Sequence, residues 1–156
     1  MAPPLTFITG ASSGIGQALA LRFHRAGHRL ALVARRESEL RAWAQQQGLT
    51  DAGVYAADVR DTASISAAGA ACLAEQGVPD VVIANAGVSI GMSTAVAEDL
   101  EVMRITLETN LIGMAATIHP FVAAMRARRS GALVGIASVA GIRGLPGHGA
   151  YCSSKA

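Results

Sequence analysis

A chain of 156 residues with 51% hydrophobic and only 15% charged residues reads as one domain with a sizeable core built from small and aliphatic side chains. A net charge of +2 is too mild to argue for a nucleic-acid partner, and the one basic cluster, Arg126 to Arg129, falls where a helix should end and cations suit its dipole. Cys72 and Cys152 make no disulfide framework and no metal-ligand spacing, and no apolar run approaches the roughly 18 residues of a membrane span.

Along the chain, "MAPPLTF" lacks the charged and apolar regions of a secretory signal, so a cytoplasmic chain is expected. "LTFIT" (5–9) is a short buried strand followed by a glycine-rich turn. Residues 14–26 put Ile15, Ala18, Leu19 and Phe23 on one helical face, with Gly27 as the stop. A second strand (29–34) leads to a helix (37–47) closed by Gly48, and a third strand (53–58) follows. Asp61 is placed to cap a helix running to about residue 75. A fourth strand (80–85), a long helical stretch (97–128) with Asn110 and Gly113 in its middle and Pro120 placed to bend it, and a fifth strand (131–138) complete the series. Such alternation implies right-handed crossovers and an α/β, doubly wound parallel sheet in the order 3-2-1-4-5, with its ligand crevice at the carboxyl ends of strands one and four.

The motifs fall at those strand ends. In "TGASSGIG" (9–16), Gly10 permits a tight turn, Gly14 lets the backbone approach a phosphate, and Gly16 allows close packing of helix on strand. The helix N-terminus then offers free N–H groups to a pyrophosphate. The spacing G-x-x-x-G-x-G departs from the usual G-x-G-x-x-G fingerprint. At the end of strand two stand Arg35 and Arg36, where an NAD enzyme would place an acid for the ribose 2′-OH. Guanidinium groups there suit a 2′-phosphate, so NADP(H) is expected over NAD(H).

"TGASSGIG", "ANAG" (84–87), Asn110, "GIASVAG" (135–141) and "YCSSK" (151–155), in that order, resemble the motif series of the short-chain dehydrogenase/reductase family, and the match spans essentially the whole chain. The resemblance implies hydride transfer between a nicotinamide and a carbonyl or secondary alcohol. It assigns Tyr151 as acid/base, Lys155 as the cation that favours the phenolate and holds the nicotinamide ribose, and Ser138 as donor to the substrate oxygen. Asn110 would anchor a water-borne proton relay. It also assigns cofactor contacts to Ser12, Ser13 and Ile15 in the glycine loop, to Asp58 and Val59 around the adenine, and to Asn85, Ala86 and Gly87 along the cofactor. The chemistry agrees: a tyrosine of pKa near 10 needs a neighbouring positive charge to work near neutrality.

Other residues say less. His148, in "GLPGHG", reads as a solvated loop residue, and His24, His28 and His119 have no ligand spacing. Ile90, Met92, Ile142 and Leu145 suit either an apolar substrate pocket or the core. Met103, Leu107, Leu111, Met114 and Ile118 lack evident cover within the chain, which predicts a homo-oligomer. A fold of this kind normally has a sixth strand. Residues 1–156 therefore read as a single dinucleotide-binding domain, incomplete at its C-terminus, in which cofactor binding should survive better than turnover. Two alternatives stand beside the oxidoreductase. One is a catalytically silent nucleotide-binding or assembly module; the other, a sugar-nucleotide epimerase sharing Tyr-x-x-x-Lys, usually carries a differently spaced glycine loop.

Overall fold

Runs of apolar residues bounded by glycine turns become strands buried on both faces. In the computed structural model, which describes residues 2–156, β1 (Leu5–Thr9), β2 (Arg29–Ala34), β3 (Gly53–Ala56), β4 (Val81–Ala84) and β5 (Ala132–Gly135) form a parallel sheet ordered β3-β2-β1-β4-β5. β1 is central and wholly buried, paired with β2 through Leu5 opposite Arg29 and with β4 through Thr6 opposite Val81. Continuous rather than alternating hydrophobicity is what a strand covered on both sides requires.

Because side chains alternate along a strand, Phe7 and Ile8 enter different cores. Phe7 packs with Ile65 and Cys72 of α3 (Thr62–Glu75) and with Phe121 of α5 (Gly113–Arg128), its ring 4.7 Å from that of Phe121. Ile8 joins Leu30 and Leu32 beneath Ala20 of α1 (Gly14–Arg25) and Leu40 of α2 (Glu37–Gln46). Burying each of these large side chains contributes about 1.5–3 kcal/mol. Asp61 caps α3 as expected, accepting from Ala63 N at 3.0 Å and Ser64 N at 3.2 Å.

Two expectations change. Strands three, four and five are shorter than their apolar runs, so Asp58, Asn85 and Ser138 lie beyond the last ladder residue of their strands, free to serve a site at the carboxyl edge. The long helix is also not one helix. α4 (Asp99–Leu107) and α5 are separated by a π turn over Glu108–Ile112, which carries Asn110. Pro120 lies within α5 and meets α3 closely: a Cβ on Gly69 would stand 2.7 Å from Pro120 Cβ.

The helical residues expected to lack cover divide. Ile118 packs against the Phe7–Phe121 core, and Met114 lies over Gly135 of β5. Leu111 is 52% exposed, Ile112 50%, and Leu133 on the β5 edge 45%, so the apolar surface open to a partner is smaller than the pattern suggested. Among the described residues no helix is long and apolar enough to cross a membrane.

Candidate active site

The turn after β1 is shaped by two glycines with positive φ, Gly10 (66°) and Gly14 (52°). A Cβ on Gly10 would lie 2.9 Å from the Ala86 backbone, so only glycine lets this loop meet the end of β4. Gly16 is buried, and a Cβ there would overlap the Gly10 carbonyl, which binds α1 tightly under the loop. Gly14 differs: a Cβ there would meet nothing, because the residue faces an open groove. Asn85 fastens the loop from β4, its Nδ2 donating to Thr9 O (3.0 Å) and Gly10 O (3.2 Å). Thr9 Oγ1 in turn accepts from the backbone N–H groups of Asn85 (3.2 Å) and Ala86 (3.3 Å).

The groove holds about 340 Å³ and runs along the carboxyl ends of the central strands. The structure brings together here Gly10, Ser12, Ser13, Gly14 and Ile15 from the loop, Arg35 from the end of β2, Asp58 and Val59 after β3, and Asn85, Ala86 and Gly87 after β4. The N-cap residue of α1, Ser13, makes no side-chain capping bond, so the first N–H groups of the helix remain available to an anion. Open space in front of Gly14, uncapped donors and a guanidinium at the β2 end together form a donor set that fits the phosphates of a dinucleotide. Arg36 is not part of the groove lining: its Nε pairs with Glu39 at 3.1 Å, across the first turn of α2.

A second group assembles where α6 (Gly149–Lys155) meets the segment after β5. Ser138 caps a short 3-10 turn, its Oγ accepting from Ala140 N at 3.2 Å and leaving the hydroxyl hydrogen free to donate elsewhere. A Cβ on Gly141 would overlap the Lys155 carbonyl, so this turn lies directly on α6. Lys155 Nζ donates to Ile136 O at 2.7 Å, two residues before Ser138, and stands 5.8 Å from the centre of the Tyr151 ring.

Asn110 holds this corner to the rest of the sheet. It is 1% exposed, with Oδ1 accepting from Val88 N (2.8 Å) and Nδ2 donating to Val88 O (2.8 Å) and Ser154 Oγ (2.9 Å). Ser154 Oγ passes its hydrogen to Tyr151 O at 2.7 Å. One amide thus joins the loop after β4, the π turn and the helix bearing Tyr151 and Lys155.

Comparison with known proteins agrees with this geometry. A family model described as short chain dehydrogenase matches residues 5–156. The chain belongs to the short-chain dehydrogenase family. Over 152 residues it is 41% identical to an uncharacterized oxidoreductase of Myxococcus xanthus, covering 96% of this chain and 59% of that protein. A short-chain dehydrogenase structure from Streptomyces avermitilis superposes with a TM-score of 0.90 at 31% identity, over 99% of this chain and 56% of the other. An alcohol dehydrogenase from the archaeon Thermococcus sibiricus, complexed with 5-hydroxy-NADP, superposes with a TM-score of 0.87 at 32% identity, over 97% of this chain and 65% of that one. The chain therefore spans little more than half the length of these relatives.

Several features of this site were not read from the sequence. Arg60 lines the groove and grips Asp58, with Nε 3.1 Å from each carboxylate oxygen and Nη2 2.6 Å from Oδ2. That guanidinium holds the Asp58 carboxyl below its ordinary range. The signal was the i, i+2 spacing across the turn after β3. Val88 after β4, Ile105 on α4 and Thr109 in the π turn also line the groove. His148 departs from its expected role. It occupies the N-cap position of α6, and its Nδ1 is sealed from solvent without a hydrogen-bond partner. Of the four apolar candidates, Met92 is buried and Ile142 is 90% exposed, so they do not enclose a common pocket among the described residues. Cys72 is wholly buried, and burial pushes its thiol up to about 12, which makes it unreactive.

Proposed function

We propose that this chain is the nucleotide-binding and catalytic portion of an NADP(H)-dependent oxidoreductase acting on a carbonyl or secondary alcohol. The observation that carries the reading is the pairing of two sites on one sheet edge: a groove fitted to a dinucleotide, and the Ser138–Tyr151–Lys155 corner beside it. Gly14, the free N–H groups of α1 and Ser12 would hold the pyrophosphate, and Asn85 to Gly87 would follow the chain of the cofactor. Arg35 would meet a 2′-phosphate, since the end of β2 presents a cation and no acid. The Thermococcus sibiricus relative, crystallised with an NADP analogue, supports the same preference.

When bound, the nicotinamide supplies or accepts the hydride. The remaining work falls to side chains. The Tyr151 hydroxyl exchanges a proton with the substrate oxygen, and the Ser138 hydroxyl donates to that oxygen as its charge develops. The Lys155 ammonium, close to the Tyr151 ring, stabilises negative charge on the phenolic oxygen and leaves Ile136 O to reach ribose hydroxyls. Asn110 and Ser154 fix the helix on which both residues sit. Exposed Leu111 and Ile112 suit burial against a second copy, a reading checked by sedimentation at micromolar concentration.

The direct test is titration with NADPH and NADH of the wild type and an Arg35→Asp variant. A charge-assisted hydrogen bond is worth about 1.5–3 kcal/mol, or roughly ten- to a hundredfold in affinity. NADPH should bind the wild type more tightly by about that factor, and the variant should lose the difference. Equal affinities in the wild type would refute the cofactor assignment.

A further inference from the structure

Which end of the groove takes the base follows from the position of the catalytic corner. Ser138, Tyr151 and Lys155 come after β5, so the reacting ring of a dinucleotide lies on the β4–β5 side, with its phosphates at the glycine loop after β1. The other half of the molecule then runs over the ends of β2 and β3, where Asp58, Val59 and Arg60 line the groove. Among the described residues, Asp58 is the one acid in that lining. An ionised carboxylate only accepts hydrogen bonds, so it selects a base edge that donates, such as an exocyclic amine. The turn that carries it is fixed at its centre. Val59 is 6% exposed and seated against Gly113 at the start of α5, where a Cβ would lie 2.8 Å from Val59 Cγ2. Asp58 and Arg60 flank it, and their side chains stay 29% and 35% exposed.

Arg60 offers this carboxylate three N–H groups. Its backbone N–H donates to Oδ1 at 3.0 Å, Nε is shared between Oδ1 and Oδ2 at 3.1 Å, and Nη2 donates to Oδ2 at 2.6 Å. A carboxylate can accept about four hydrogen bonds, so the fork fixes the plane of the group and leaves it capacity for a ligand. An aspartate in a surface turn without such a partner has to be ordered at the moment of binding, which lowers affinity by roughly two- to tenfold. We infer that Arg60 is a positioning residue: its fork orients the Asp58 carboxylate in advance as the acceptor for an exocyclic amine on the bound base, and so sets a preference for adenine over an oxo-purine. Arg60 acts through Asp58 and does not itself touch the base. The inference rests on the nucleotide-binding reading given above, but not on the choice between NADP(H) and NAD(H), and it deepens that reading by naming what recognises the base.

The probes are NADPH or NADH, whichever binds the wild type more tightly, and its hypoxanthine counterpart, in which a carbonyl replaces the exocyclic amine. Both are titrated by nicotinamide fluorescence against wild type, Asp58→Ala, Arg60→Gln, Arg60→Lys and the double variant Asp58→Ala/Arg60→Gln, with circular dichroism melting to confirm that each is folded. The readout is the ratio of the two affinities, which a loss of general stability or of loop order would leave unchanged. A hydrogen bond to a charged, partly exposed acceptor gives the wild type a preference for adenine of about tenfold. Asp58→Ala should bring the ratio to about one. Arg60→Gln should lower it to about threefold, the scale of ordering one side chain on binding. Arg60→Lys keeps a cation without the fork and should fall with Arg60→Gln. The double variant should match Asp58→Ala, because Arg60 has nothing left to orient.

A wild-type ratio in Arg60→Gln, or in Arg60→Lys, would overturn positioning by the fork. A double variant with a lower ratio than Asp58→Ala would show that Arg60 touches the base itself, and would overturn the route through Asp58. A wild type that binds both probes equally would overturn the role given to Asp58, and with it the inference, while leaving the nucleotide site standing. A wild type that binds neither would instead overturn the nucleotide-binding reading.

Discussion

Asn110→Ala tests how the catalytic corner is held. The side chain is almost wholly buried and makes three hydrogen bonds, two to the Val88 backbone and one to Ser154 Oγ. A net contribution near 1 kcal/mol per bond gives about 3 kcal/mol, and the Val88 groups left without partners add to the loss where water cannot reach them. Val88 is half-buried, so water recovers part of that cost, and a total of about 2–3 kcal/mol is expected. With a urea dependence of about 2 kcal/mol per molar, the unfolding midpoint should drop by about 1 M or slightly more. Equilibrium unfolding followed by circular dichroism measures this, and hydrogen exchange should show the amides of 149–155 opening sooner. A loss below about 0.5 kcal/mol would show that the Asn110 network does not tie α6 to the sheet.

Three further outcomes follow from the packing and the buried acids. Gly69→Ala would press a Cβ to 2.7 Å from Pro120, and the thermal midpoint should fall by an amount equal to about 1–3 kcal/mol of overpacking. Asp61→Ala removes a cap that accepts two backbone N–H groups of α3 and should cost about 1 kcal/mol in urea unfolding. Burial pushes both the Cys72 thiol, ordinarily near 9.0, and the Tyr55 phenol, ordinarily near 10.0, up to about 12. Each keeps its proton in the folded chain after the unfolded chain has lost it, so stability is full below about pH 9 and declines as pH rises towards 12. Urea midpoints measured from pH 8 to 11 should show that decline, and Cys72→Ala should flatten it.

The strand order and every motif position were legible because each rests on local chemistry. Short apolar runs, such as residues 5–9 ahead of Gly10, mark the strands. Gly10 and Gly16 are needed where backbone meets backbone, and Asp61 stands one residue ahead of its helix. What escaped depends on contacts between distant segments. Nothing local in "ETNLI" announces a π turn, since the wider turn is fixed by Asn110 reaching Val88 and Ser154, 22 and 44 residues away. The division of labour between Arg35 and Arg36 was also hidden, because adjacent residues at a strand end differ only in which way the backbone turns them. The Arg60–Asp58 pair was overlooked for a simpler reason: an aspartate two residues before an arginine is too common a pattern to stand out.

The most direct test of the central claim is hydrogen exchange of the chain with and without saturating NADPH. Slowed exchange concentrated at the amides of 10–16 and 85–88, where the glycine loop meets the end of β4, is the predicted result. Slowed exchange confined to other segments, or none at all at a concentration where binding is saturated, would contradict the assignment of this groove as the nucleotide site.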